Sequence, residues 1–193
     1  MESVLKVALV QMAPSLGLPE KNMETHLRWL ETPEAREADL VVFPELSLTG
    51  YLLQDLVAEV GVPLREDGFL APLVKASRER DILVGLVEES SQFLFHNAAV
   101  YLSGGRIHHV HRKVYLPTYG MFDEGRYFAA GREFRAFDTR FGKVGVLICE
   151  DAWHLSSSYL LVLQGAHTLL VMSGSPGRGL ATESVEATSV QTW

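Results

Sequence analysis

The stretch Lys143-Val-Gly-Val-Leu-Ile-Cys149 is followed directly by Glu150-Asp151-Ala152-Trp153. Its short apolar run, bounded by polar residues, predicts a buried β-strand. Cys149 is the only cysteine of the chain and lies where this strand ends, a position typical of a nucleophile in an α/β protein. The alternative is that Cys149 only fills space in the core, because a free cysteine usually behaves as a small buried apolar side chain. A base and a charge partner elsewhere in the chain would favour the nucleophile.

Strand and helix patterns alternate through the first half of the chain. Apolar residues recur with helical spacing in two segments, as with Met23, Leu27 and Leu30 in the first of them. Two consecutive strand-helix-strand units are therefore predicted. The expected strands are Val4–Val10, Asp39–Phe43 and Ile82–Val87, and the expected helices are Lys21–Ala38 and Phe69–Arg80.

Hairpin patterns follow in the second half. Asn97–Leu102 and Arg106–Arg112 flank Ser103-Gly104-Gly105, and Phe134–Asp138 is joined by a turn to the strand that ends before Cys149. A helix over Ser156–Gln164 and a strand over Thr168–Met172 complete the pattern. We expect an α/β fold with a mixed sheet, covered by helices on at least one face.

Length and composition limit the class of protein. With 193 residues, of which 47% are hydrophobic and 21% charged, the chain should form one globular domain over 1–193. A net charge of −7 argues against binding nucleic acid, and no run approaches the ~18 apolar residues of a membrane span. A single cysteine excludes an internal disulfide. We therefore expect a soluble, cytoplasmic protein without a signal peptide.

Three predicted strands end in residues that could carry chemistry. Glu45 follows Phe43-Pro44, Lys113 follows His111-Arg112, and Cys149 follows Leu147-Ile148. Loops at the carboxyl ends of strands meet in one crevice of an α/β fold. Glu45 could take the thiol proton, Cys149 could attack a carbonyl or nitrile carbon, and Lys113 could stabilise the resulting negative charge. Taken singly, Glu45 could instead be a solvated carboxylate and Lys113 a surface charge.

The contexts of these three residues resemble the signature segments of the nitrilase, or carbon-nitrogen hydrolase, superfamily. The segments are Phe43–Tyr51, Arg112–Pro117 and Ile148–Trp153, in that family's order. The resemblance implies an α-β-β-α sandwich with a mixed sheet. It also implies that Glu45 is the general base, Lys113 the oxyanion-stabilising residue and Cys149 the nucleophile.

A further segment, Tyr119–Phe128, is similar to the glutaminase domain of glutamine-dependent NAD synthetases. This resemblance implies a second catalytic glutamate at Glu124, which could orient Lys113 or hold a substrate ammonium. It also implies substrate-binding roles for residues around a glutamine pocket, namely Tyr51, Tyr119, Trp153, Ser173 and Ser175. The alternative for Tyr51 and Trp153 is that they fill the core.

Two departures from that branch bear on the substrate. Leu52-Leu53-Gln54-Asp55 replaces a proline-rich step, and Ser173-Gly174 replaces the more usual Asn-Ala. The expected reaction is hydrolysis of a small carboxamide, with glutamine as the first choice, as in NAD synthesis. The alternatives are another carboxamide or an N-carbamoyl compound, and a non-catalytic or incomplete domain for assembly or binding.

The resemblance also sets expectations for assembly. The downstream strands and helix of the family are expected to be missing from this chain. We expect a small-molecule substrate, a homo-oligomer of two or more chains, and an ammonia-accepting synthetase as a possible partner. No cofactor is expected.

The histidines of the first hairpin, His108, His109 and His111, raise the question of a metal site. His109 and His111 would point to the same side of a strand, but no acidic or cysteine ligand is near them in sequence. We therefore expect no metal. The basic residues around Lys113 could alternatively form an anion patch.

Overall fold

The computed structural model describes residues 4–174, and its strands belong to two sheets. Within that range the six-stranded sheet has the order β1-β2-β4-β5-β6, with β3 paired to β4, and the other sheet has the order β7-β8-β9. The strands are β1 (Val7–Leu9), β2 (Leu40–Val42), β3 (Val62–Pro63), β4 (Asp81–Glu89), β5 (Phe95–Ser103), β6 (Arg106–Arg112), β7 (Phe137–Thr139), β8 (Gly142–Ile148) and β9 (Thr168–Met172).

Helical segments connect these strands. The α-helices are α1 (Pro19–Leu30), α2 (Pro33–Glu37), α3 (Val57–Val60), α4 (Ala71–Ala76), α5 (Glu124–Tyr127) and α6 (Leu155–Leu163). Two 3-10 helices cover Gln54–Leu56 and Cys149–Trp153. None of the helices in the described range is both long and apolar enough to span a bilayer.

Both sheets are mixed, as expected. Strands β1, β2 and β4 are parallel, and β4, β5 and β6 are successively antiparallel. In the smaller sheet β7 and β8 are antiparallel and β8 and β9 are parallel. The two predicted strand-helix-strand units and both predicted hairpins are therefore confirmed.

Alternate residues of each strand build separate cores on the two faces of the sheets. One face of the large sheet packs on α1 and α4, for example through Val41 and Val84, while its other face, with Leu40 and Leu83, packs on β8. The far face of the small sheet, which includes Leu147, packs on α6. The layers therefore follow the α-β-β-α order expected for this fold.

Two predicted helices are shorter in the structure. The segment predicted as one helix over Lys21–Ala38 is α1 and α2, because Thr32 caps a new helix by accepting a hydrogen bond from Ala35 N and Pro33 stands in its first turn. The helix predicted over Phe69–Arg80 ends at Ala76, where the Ser77 hydroxyl bonds back to Val74 O. These local hydrogen bonds end helices that the apolar pattern alone would extend.

Candidate active site

The three residues singled out at strand ends lie beyond the same end of the two sheets. Glu45 follows β2, Lys113 follows β6 and Cys149 follows β8, and Ser173 and Gly174 follow β9. Strands β2 and β6 run in the same direction through the β4–β5–β6 pairing, so their carboxyl ends share one edge. The fold thus brings residues distant in sequence into one crevice.

Lys113 is at the centre of a buried ionic cluster. Its side chain is fully buried, and Nζ donates to Glu45 Oε1 at 2.8 Å and to Glu124 Oε1 at 2.7 Å. Tyr51 Oη donates to the same oxygen of Glu124. Glu45 is 3% exposed and Glu124 5%, so neither is a solvated carboxylate and Lys113 is not a surface charge. The contact between Lys113 Nζ and Glu124 Oε1 is compatible with the expectation that Glu124 orients Lys113.

Glu45 is held from both of its oxygens. Asn97 Nδ2 donates to Oε1 at 2.8 Å, and the backbone N–H of Gly174 donates to Oε2 at 2.8 Å. Asn97 also accepts the Lys113 N–H through its own carbonyl at 2.9 Å. These hydrogen bonds therefore fix the orientation of the Glu45 carboxylate.

The charge on Lys113 is stabilised by the two carboxylates, which repel each other. Burial alone would lower the pKa of Lys113, but Glu45 and Glu124 outweigh it and raise that pKa, so the ammonium stays charged at neutral pH. Burial raises the pKa of Glu124, an effect that Lys113 opposes and Glu45 adds to. Glu124 Oε2 is buried and has no hydrogen-bond partner among the described residues. That oxygen is available to a substrate or a water molecule.

Cys149 stands on a tight turn at the start of a 3-10 helix. Its φ is +45°, a left-handed conformation that non-glycine residues rarely adopt and that recurs at functional turns. Burial and the charge of Glu45 raise the pKa of its thiol to about 11, against the lowering effects of Lys113 and of a hydrogen bond with the Ser173 side chain. The resting group at neutral pH is therefore the thiol, which becomes nucleophilic only when a base removes its proton.

A close backbone contact allows the Glu45 loop to cross β4. A Cβ at Gly85 would lie 2.4 Å from Leu46 N and 2.7 Å from Pro44 O, so only glycine fits there. Leu46 itself has φ +51°, and Leu48 N donates to Gly85 O at 3.0 Å. The loop is thereby fixed against the strand.

A second glycine supports the Lys113 loop. Gly131 N donates to Lys113 O at 2.7 Å, and a Cβ at Gly131 would lie 2.1 Å from Arg112 O. The two ends of the long segment from Lys113 to Gly131 are therefore hydrogen-bonded to each other. The segment contains the short helix α5, which the sequence pattern did not predict and which carries Glu124 at its start.

The predicted substrate-binding residues lie around this cluster and differ in how exposed they are. Tyr51 contacts Glu124 and packs partly on the Leu46 core, whereas Trp153 is 47% exposed, so the core-filling alternative is wrong for Trp153. Tyr119 is exposed and its hydroxyl donates to Glu150 Oε2 at 2.7 Å, which raises the pKa of Tyr119 to about 12. Ser175 lies outside the described residues.

The hairpin histidines have protein partners. His111 donates from Nε2 to Asp151 Oδ2 at 2.8 Å, and His109 stacks on Phe137 with ring centroids 4.1 Å apart. An acidic partner therefore does contact His111, although it is 40 residues away in sequence. Within residues 4–174 no group of three or more histidine, cysteine, aspartate or glutamate side chains is arranged to hold a metal ion.

Two residues that hold Glu45 were missed by the sequence analysis. Asn97 could have been noticed in the sequence, because it is a polar residue in an otherwise apolar strand. In the structure its side chain is buried. Gly174 acts through its backbone N–H, for which the sequence carries no signal.

Comparisons with known proteins identify the family. A family model described as carbon-nitrogen hydrolase matches residues 6–189. The chain is 36% identical over 176 residues to the glutamine-dependent NAD(+) synthetase of Thermotoga maritima, a match that covers 89% of this chain and 30% of that protein.

Solved structures give the same picture. The glutamine-dependent NAD+ synthetase of Acinetobacter baumannii matches with a TM-score of 0.77 and 30% identity, over 91% of this chain and 33% of that one. A carbon-nitrogen hydrolase from Helicobacter pylori matches with a TM-score of 0.80 and 28% identity, over 97% of this chain and 66% of that one. The chain spans about a third of the length of its NAD synthetase relatives. It belongs to the carbon-nitrogen hydrolase family.

Proposed function

We propose that this protein hydrolyses the carbon–nitrogen bond of a small carboxamide and releases ammonia through a thioester on Cys149. The observation that carries the proposal is the buried Lys113 ammonium, bonded to Glu45 and Glu124 beside the thiol. Burying these charges in a fixed arrangement is costly for a protein and is typical of a catalytic site.

The first half of the reaction acylates the thiol. Glu45 takes the proton of Cys149 Sγ as the sulfur bonds to the carbonyl carbon, and Lys113 stabilises the oxyanion that forms. When the carbonyl reforms, the carbon–nitrogen bond breaks and Glu45 returns its proton to the leaving nitrogen. Ammonia departs and a thioester remains.

The second half releases the acid. Glu45 takes a proton from a water molecule, whose oxygen bonds to the thioester carbon, and Lys113 again stabilises the oxyanion. The carbon–sulfur bond then breaks and the proton passes to Sγ, which regenerates the thiol.

We propose glutamine as the amide, on two lines of support. Several relatives of known function are glutamine-dependent NAD synthetases, and the mouth of the site carries Tyr119, Glu150 and the half-exposed Trp153. Tyrosine and carboxylate groups suit the amino acid end of glutamine. On this proposal 1–193 acts as a single hydrolase domain and an NAD synthetase accepts the ammonia.

Another small carboxamide or an N-carbamoyl compound is the second candidate. Ser173-Gly174, where the NAD synthetase branch usually has Asn-Ala, favours it, because Ser173 contacts the thiol and Gly174 contacts Glu45. A change at these two positions alters the wall nearest the reacting carbon.

Ammonia release across a panel of amides tests the proposal. Glutamine, other ω-amides and N-carbamoyl amino acids are compared with the wild-type protein and with Cys149→Ala. We expect release from glutamine, and none from any compound with Cys149→Ala. Faster release from another amide would replace glutamine, and release from no compound by a folded protein would favour a non-catalytic assembly domain.

A further inference from the structure

The Asp151 carboxylate joins the two loops that carry Lys113 and Cys149. It is fully buried and accepts four hydrogen bonds. Oδ1 accepts the backbone N–H groups of Val114 at 3.0 Å and Tyr115 at 2.9 Å. Oδ2 accepts His111 Nε2 at 2.8 Å and the N–H of Ile148 at 3.2 Å.

These donors flank the two reactive residues. Lys113 lies between His111 and Val114, and Ile148 immediately precedes Cys149. The loop after β6 belongs to the large sheet and the turn after β8 belongs to the small one. One carboxylate therefore links the two sheets at the position where the ammonium and the thiol must meet.

A charged group is a costly way to fill this space. A buried carboxylate loses its hydration, and well-packed apolar side chains of similar volume often serve stability as well or better. Its hydrogen bonds are charge-assisted and directional, so they fix the positions of the four donors more tightly than apolar packing does. The geometry therefore favours a positioning role for Asp151 over a stabilising one.

We propose that Asp151 is a positioning residue that sets the place of the Lys113 ammonium relative to the Cys149 sulfur. It acts through the backbone of residues 114, 115 and 148 and through His111, without touching the substrate. The assignment rests on the proposed function for its catalytic meaning, and the contact between the two loops exists independently of any substrate.

Asp151→Asn is the direct test, with Asp138→Asn as the matched control. Asp138 is exposed, and its side chain makes only a distant pair with Lys143 at 3.8 Å. In Asp151→Asn an amide NH2 group replaces one of the two carboxylate oxygens, so the two donors that share that oxygen lose their acceptor. Two quantities are measured, the pH dependence of Cys149 alkylation by iodoacetamide and the kcat and KM for glutamine.

The proposal predicts two changes in Asp151→Asn. Because Lys113 lowers the thiol pKa, moving the ammonium away shifts the alkylation profile to higher pH. The kcat for glutamine falls about a hundredfold while KM changes much less, as expected when a group that acts in the transition state is misplaced by about 1 Å. Asp138→Asn should match the wild type in both quantities.

Some outcomes would overturn the assignment. A folded Asp151→Asn protein with the wild-type alkylation profile and kcat would do so, and so would a loss confined to the yield of folded protein. If Asp151→Asn does not fold, His111→Phe removes a single donor and should move the profile in the same direction by less. The alkylation assay needs no substrate, so a protein that releases no ammonia still tests the role of Asp151.

Discussion

At the scale of single residues, Cys149 depends on Glu45 in two opposing ways. The negative charge of Glu45 raises the thiol pKa, and in the proposed mechanism the same carboxylate is the base that removes the thiol proton. Lys113 acts in the opposite direction on the thiol and bridges Glu45 to Glu124. A nucleophile that is protonated at rest reacts slowly with chance electrophiles and is activated only when a substrate occupies the site.

Alkylation of the single thiol tests this electrostatic balance. With a pKa of about 11 against an ordinary value of 9.0, Cys149 should carry about a hundredfold less thiolate at pH 8 than a free cysteine. Iodoacetamide should therefore modify it correspondingly slowly, with the rate rising up to about pH 11.

Glu45→Gln should separate the two roles of the carboxylate. Removing the negative charge lowers the thiol pKa, so alkylation at pH 8 becomes faster, while amide hydrolysis is lost with the base. A variant that is alkylated more slowly than the wild type would contradict the assigned role of Glu45. Alkylation rates and ammonia release are measured on the same preparation.

Sequence patterns predicted where Glu45, Lys113 and Cys149 lie in the fold better than they predicted which residues hold Glu45. Glu45, Lys113 and Cys149 each follow a recognisable strand and lie in recognisable motifs. Asn97 and Gly174 reach Glu45 across 52 and 129 residues of sequence, so the contacts exist only after the strands are assembled. Nothing in the sequence indicated that the whole cluster is buried, because its burial depends on how the two sheets and the helices pack together.

At the scale of elements, the helix α1 supports the Glu45 loop through a buried histidine. His26 Nδ1 donates to Asn22 O at 2.7 Å, its Nε2 lies 2.9 Å from Ser47 Oγ, and its ring packs on Phe43 with centroids 4.3 Å apart. Burial lowers its pKa to about 4, against a weaker raising effect of the Asn22 hydrogen bond. The ring is therefore neutral in the folded protein at neutral pH.

Because folding excludes a proton from His26, the protein should become less stable as the pH falls. Between about pH 6.5 and pH 4 the unfolded chain binds a proton that the folded chain excludes, so the free energy of unfolding falls as pH falls. The contribution is about 3 kcal/mol over that interval. Urea unfolding at several pH values should show a flatter pH dependence for His26→Gln than for the wild type, with the exposed His167→Gln as control. An unchanged slope in His26→Gln would contradict the assignment.

The Lys113 loop depends similarly on Gly131. A methyl group there would overlap Arg112 O at 2.1 Å and should displace the ammonium, with a loss of about a hundredfold in kcat. Gly68→Ala is the control, because its Cβ would meet Arg65 only at 3.4 Å. Kinetics of ammonia release compare the two variants, and equal activity would show that the loop tolerates the shift.

The bounds of helices and strands were predicted less accurately than their presence. The strand Thr168–Met172 was predicted with its observed bounds, because turn residues flank its apolar run. The segment Lys21–Ala38 was predicted as one helix and is two, since Thr32 and Pro33 restart the helix within a continuous apolar pattern. The short helix α5, which carries Glu124, was not predicted because four residues are too few to show a helical period of apolar residues.

At the scale of the whole molecule, alternation of strands and helices predicted an α/β fold but not two sheets. Periodicity assigns residues to the faces of a strand and carries no information on which sheet the strand joins. The α-β-β-α order came from the family resemblance, and the packing of β8 between the large sheet and α6 confirms it.

We propose that the protein self-associates through α6. Exposed apolar side chains on this helix, among them Leu155, Tyr159 and Leu163, cover an outer face of the sandwich. Leu163→Glu should lower the molar mass measured by sedimentation, with Leu52→Glu, at another exposed apolar position, as the control. A monomeric wild-type protein would contradict this proposal.

Intact-mass analysis of the protein during turnover of glutamine tests for the proposed thioester on Cys149. The account predicts a transient mass increase of one γ-glutamyl group, located on the peptide that contains Cys149 and absent from Cys149→Ala. Slower decay of the adduct is expected in Glu45→Gln after direct acylation by a reactive thioester-forming analogue. Ammonia release without any adduct on Cys149, or release that persists in Cys149→Ala, would contradict the account.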